Sequence, residues 1–117
     1  MSAEEGDAAH VTLAKALSAN PKPGNLAAEM LRRGSVDLEF YSPHLTDLQQ
    51  PHSRDELYII ARGTGVLEVE GERHPFTAGD VLFVAAHAEH RFIEFSGDFA
   101  TWVLFYGPEG GEANSGR

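Results

Sequence analysis

The chain has 117 residues, 42% of them hydrophobic and 23% charged, a composition that supports one buried core and one domain. Its net charge of −9, with only nine scattered Lys and Arg, argues against nucleic-acid and anionic-membrane partners, which need clustered cations. There is no cysteine, which excludes a disulfide framework, a thiolate nucleophile and a sulfur-ligated zinc site.

The first six residues are acidic and carry no long apolar run, so the start predicts neither a signal peptide nor a membrane span, and a cytoplasmic protein is expected. A short amphipathic helix is predicted from Asp7, as N-cap, through Ser18, with Val11, Leu13 and Leu17 on its apolar side. Asn20-Pro21-Lys22-Pro23-Gly24 ends it, because two prolines and a glycine cannot continue a helix. Asn25 is expected to cap a second short helical turn over Leu26 to Leu31. Residues 1–34 are thus predicted to be a helical extension of the main domain.

From Ser35 the pattern changes to a period of two. Val36, Leu38 and Phe40 alternate with Asp37, Glu39 and Tyr41, as on a strand. Further strands are predicted over 57–61, 66–70, 73–76, 81–84, 90–95 and 101–106. Glu70-Gly71-Glu72 reads as a hairpin turn, and Pro75 fits a sheet edge. Seven or eight short strands with turns between them predict an all-β fold, a sandwich or barrel over residues 35–107. The Gly-, Glu- and Ser-rich residues 108–117 read as a loose tail.

Two stretches carry chemistry. One is Gln50-Pro51-His52-Ser53-Arg54-Asp55-Glu56, followed six residues later by Gly63. The other runs from Gly79-Asp80-Val81 through His87-Ala88-Glu89-His90. On a straight strand His52 and Glu56 would stand about 13 Å apart, whereas metal ligands lie about 2 Å from their ion. For both to ligate, the chain must turn at Ser53-Arg54-Asp55 so that Glu56 opens a new strand beside His52. Arg54, at that turn, reads as a solvated side chain.

These stretches resemble the paired signatures of the cupin superfamily. His52, Glu56 and Gly63 fall on the spacing of the first signature, with Gln50 where its first His is usual and His44 at its leading Gly position. Gly79 and His90 fall on the second. There Ala85 stands for the usual Pro, His87 for the Gly and Glu94 for the Asn. If His87 inherits the conformation of that Gly, it needs a positive φ.

The resemblance implies a single jelly-roll β-barrel with a short N-terminal helical extension, and often a homodimer. It implies one divalent metal ion (Fe, Mn, Ni, Co or Zn) held by His52, Glu56 and His90, with Gln50 near a fourth position. The corresponding function is a metal-dependent enzyme acting on a small organic molecule by oxygenase, isomerase or lyase chemistry. The alternative is a non-catalytic small-molecule-binding cupin with a structural or sensing metal. By strand alternation Tyr58 and Ile60 join Glu56, and Phe92 joins His90, as the expected substrate-binding wall. Leu57, Ile59 and Ala61 make the same strand apolar on its other face, which calls for cover by the helix or a second subunit.

Overall fold

The computed structural model describes residues 10–44, 47–48 and 50–113. Its elements, in chain order, are α1 (Leu13–Ser18), β1 (Ala28–Arg33), β2 (Val36–Tyr41), β3 (Asp55–Arg62), β4 (Thr64–Val69), β5 (Glu72–Thr77), β6 (Val81–Val84), β7 (His90–Ile93) and β8 (Ala100–Tyr106). They form two antiparallel sheets, one in the order β1-β2-β8-β3-β6 and the other in the order β5-β4-β7. This is the jelly-roll architecture expected from the strand pattern. The chain leaves the first sheet at Gly63 and enters the second as β4. Gly63 has φ +85°, and a Cβ there would meet the Phe99 Cα at 2.8 Å and the Ser96 Oγ at 2.5 Å. Only glycine makes that crossing without strain.

The core lies between the sheets. Tyr58 and Ile60 from β3, Leu67 from β4, Phe76 from β5, Val84 from β6, Phe92 from β7 and Val103 from β8 are buried together with Phe99. Phe92 is the hub of this packing, with its ring centroid 4.7 Å from Phe99 and 4.8 Å from Tyr58. Helix α1, capped by the Thr12 side chain, lies on the outer face of the large sheet. There Ala16 packs with Phe40 and Ala100. The proposed Asp7 cap lies outside the described residues.

Two boundaries differ from the sequence reading, and the structure also settles which face of β2 is inside. First, residues 28–33 are not a helical turn. They form strand β1, paired with β2 from Ala28↔Phe40 to Arg33↔Val36, so the sheet begins before residue 35. Ala, Glu, Met, Leu and Arg all favour helix, and the ladder offered by β2 overrides that preference.

Second, β2 is a strand as expected, but its apolar set Leu38 and Phe40 is turned towards the outer face. Glu39 and Tyr41 belong to the interior side, where Tyr41 joins the core. The helix supplies the apolar cover that the outer set needs.

Third, residues 108–113 are docked. Gly110 N–H donates to the Ser53 carbonyl at 2.6 Å, and Glu112 N–H donates to Asp55 Oδ2 at 2.9 Å.

Other expectations hold. The turn at Glu70-Gly71 has two positive φ angles, 49° and 85°, as a tight hairpin requires. Pro75 sits on β5, an edge strand. His87 has φ 68°, so it does adopt the glycine-like conformation.

Candidate metal and ligand site

The turn before β3 is held by an internal scaffold. The Asp55 carboxylate, 6% exposed, accepts from Ala86 N–H through Oδ1 and from Glu112 N–H through Oδ2, both at 2.9 Å. His87 N–H donates to the His52 carbonyl at 2.6 Å. Together these bonds tie the 52–55 turn to the 86–87 turn, the segments that carry His52 and Glu56 on one side and lead into His90 on the other. Arg54 is not solvated. It pairs with Asp37 at 2.8 Å, donates to the Gly107 carbonyl at 3.0 Å, and also bonds the Ser35 carbonyl.

His52, Glu56 and His90 come together, with their potential ligand atoms all within 4.8 Å of one another. Glu56 is 1% exposed and His90 is 7% exposed. His90 Nδ1 lies 2.9 Å from the Ala88 carbonyl, which can only accept, so Nδ1 carries the proton and Nε2 presents a bare lone pair. That Nε2 faces Glu56 Oε1 at 3.2 Å. Two acceptors face each other there, and neither His90 Nε2 nor Glu56 Oε2 has a hydrogen-bond partner among the described residues. Buried polar atoms are costly when unsatisfied.

A cation between them resolves the conflict. A proton does so in part: burial lowers the His90 pKa, but the Glu56 carboxylate and the Ala88 carbonyl more than offset this and raise it. Burial lowers the His52 pKa, with the neighbouring His90 adding to the effect, so its imidazole tends to stay neutral and available as a donor. A divalent metal satisfies all three groups at once, and a neutral imidazole oriented by a backbone carbonyl is the form in which His ligates. The residues present therefore fit the implied ion.

The expected substrate wall is corrected by the burial of its members. Tyr58, Ile60 and Phe92 are 0%, 2% and 1% exposed, fully packed in the core. Alternation placed them on the correct face but beneath the triad, where the second sheet covers them. The open space lies to one side. A cavity of about 340 Å³ is bounded by the 24–27 segment and by Glu39, Tyr41, Gln50, His52, Val103 and Phe105. Gln50 is exposed on the loop before β3. It lines this cavity and also a second one that reaches His90. Glu94, at the Asn position of the second signature, pairs with Arg73 at 2.9 Å.

Two residues of the site were not singled out from the sequence. Asp47 bonds the Tyr41 hydroxyl and accepts from Phe92 N–H at 2.7 Å, strapping the loop before the motif onto β7. Burial, and then the bond to Asp47, raises the Tyr41 pKa. The other is Glu39, on the cavity wall. Burial pushes its carboxyl pKa up to about 7, with help from the negative charges of Asp37, Glu29 and Glu56, and Arg32 opposes the shift. Glu29 is its direct cross-strand partner, and like charges so placed repel.

The raised pKa has a consequence for stability. Between pH 4.5 and about 7 the folded protein holds a proton on Glu39 that the unfolded chain has released. The stability this provides is complete below pH 4.5 and is lost as pH rises through 7. Glu39→Gln should therefore be more stable than the wild type at pH 8, by about 2 kcal/mol in the metal-free protein once solvent screening of this part-exposed group is allowed for, with the gap closing below pH 4.5. Urea unfolding at the two pH values measures this. A variant no more stable at pH 8 would contradict the raised pKa.

Comparison with known proteins agrees with this architecture. A model of the cupin domain matches residues 38–106. An uncharacterized protein from Streptomyces coelicolor is 35% identical over 78 residues, covering 67% of this chain and 74% of that protein. Among solved structures, a cupin-2 domain protein from Shewanella frigidimarina aligns with TM-score 0.64 and 12% identity, over 83% of this chain and 94% of that one. KdgF from Halomonas aligns with TM-score 0.61 and 19% identity, over 74% and 82%. At these identities the structural matches speak to the fold alone. The family match covers more than half of the chain, includes all three converging side chains and agrees with the fold, so the chain belongs to the cupin family.

Proposed function

We propose that this cupin is a metal-dependent enzyme acting on a small organic molecule. The observation that carries the proposal is the buried, unsatisfied His90 Nε2 and Glu56 Oε2 beside an open cavity that His52 lines. His52, Glu56 and His90 would hold one divalent ion from the group Fe, Mn, Ni, Co and Zn, since two imidazoles and a carboxylate make a borderline-to-hard donor set. When bound, such an ion supplies positive charge where an enolate or related oxyanion develops on a chelated substrate.

The protein's own part is positional. The Ala88 carbonyl fixes the tautomer of His90, and the bonds to Asp55 fix the turn from which Glu56 projects. Val103, Tyr41 and Phe105 give the cavity an apolar wall that excludes water from a bound molecule. Gln50, which lines the cavity, would serve as the fourth donor or as a partner to a bound water. A neutral amide in place of an imidazole also favours the second reading, a non-catalytic binder with a loosely held metal.

Ala at His52, Glu56 or His90 should lower the metal content of protein purified without a His tag by about tenfold or more. Ala at the exposed His10 or His74 should leave it unchanged. Gln50→His should tighten binding. Full metal content in the triple variant would end the metal assignment. Turnover of any chelating hydroxy-ketone or enol by the loaded protein selects the enzyme, and binding without turnover selects the binder.

A homodimer is proposed through the outer face of the large sheet. Helix α1 covers Ala61 and Trp102, yet Ile59, Val81 and Phe83 stay 39%, 60% and 52% exposed on β3 and β6. Light scattering should give a dimer, and Phe83→Asp should shift it to monomer. A monomeric wild type at high micromolar concentration would refute this.

A further inference from the structure

The cavity beside His52 contains a carboxyl group that the metal site does not use. Among the described residues the Glu39 carboxyl makes no hydrogen bond or ion pair, whereas those of its neighbours are paired. Asp37 holds Arg32 and Arg54, and Glu29 holds Arg32. Glu39 faces the cavity from an otherwise apolar stretch of wall, between Tyr41 on its own strand and Val103 opposite. No Lys or Arg lines the space.

The ladder gives the scale. Glu39 pairs with Val103, and Val103 pairs with Tyr58, so β8 separates Glu39 from the strand that carries Glu56. At about 4.8 Å per strand, β2 and β3 lie about 10 Å apart. A small molecule chelated at the triad end can thus reach Glu39 with its far end.

The chemistry that fits such a carboxyl is narrow. A ligand hydroxyl can donate to it when it is ionised, and can either donate or accept when it is protonated. A second carboxylate would instead meet a like charge on a low-dielectric wall where no Lys or Arg lines the space and Arg32 offsets the charge only in part. The raised Glu39 pKa agrees with a carboxyl kept on such a wall without a partner.

We propose that Glu39 is the specificity-determining residue of the cavity, binding a distal hydroxyl of the ligand and excluding anionic molecules of the same size. The ligand class is accordingly a small uncharged hydroxy-carbonyl compound with a second hydroxyl at its far end. This proposal rests on the metal-dependent reading above for how the near end is held.

The test uses the full chain loaded with Co(II), after metal stoichiometry has been measured on wild type and Glu39→Gln. Two probes share a hydroxy-ketone head and differ only at the far end: dihydroxypentanone ends in an alcohol and hydroxylevulinate in a carboxylate. Titration calorimetry at pH 8 should show wild type preferring the alcohol by about tenfold, and Glu39→Gln bringing that ratio close to one. Equal binding of the two probes to wild type, no binding of either, or an unchanged ratio in the variant would each overturn the proposal. Metal stoichiometry answers for the triad separately. Loss of metal would refute the metal reading, and the probe comparison on the metal-free protein would still decide the role of Glu39.

Discussion

The site is organised around two buried acceptors set face to face. Glu56 Oε1 and His90 Nε2 lie 3.2 Å apart, both shielded from water, and the proton of His90 is already committed to the Ala88 carbonyl. Such an arrangement repels unless a cation lies within it. Folding nevertheless brings these groups together, because each sits on a strand whose other residues are fixed in the core: Tyr58 and Ile60 follow Glu56, and Phe92 follows His90. The aromatic packing of the interior therefore supplies the stability that holds an electrostatically unfavourable pair in place. A cation bound between them would recover that cost.

The same logic explains the polar scaffold outside the core. The two turns that deliver the triad are short and irregular, so no ladder fixes them. Asp55 substitutes for a ladder by accepting from two backbone N–H groups, and Arg54 anchors the adjoining residue to Asp37 and to the carbonyls of Ser35 and Gly107. Asp47 does the same for the preceding loop. Acidic residues that look like surface charge in the sequence thus serve as backbone acceptors, which accounts for part of the net charge of −9 without any role in partner binding.

Much of this was legible in the sequence. The spacing of His52, Glu56 and Gly63 required a turn and a strand, and both are present. The substitution of His87 for a glycine required a positive φ, and φ is 68°. What escaped the sequence depended on tertiary context. Strand β1 has helix-forming residues and exists because β2 offers it a ladder. In β2, alternation gave two faces but not which one is inside, since helix α1 makes the outer face apolar as well. The period alone therefore does not mark Glu39 as a cavity residue. Tyr58, Ile60 and Phe92 were assigned the correct face, but alternation along one strand does not reveal how closely the opposite sheet covers it. The 108–113 segment has a tail's composition, yet its glycines let the backbone approach Asp55 closely.

If His52, Glu56 and His90 hold one metal ion, crystals of the full chain grown with Co(II) and measured at the cobalt absorption edge will show one strong anomalous peak per chain. That peak should lie about 2 Å from a nitrogen of each histidine and from a Glu56 oxygen. A triad without an anomalous peak, or cobalt found only among the surface carboxylates, would contradict that assignment.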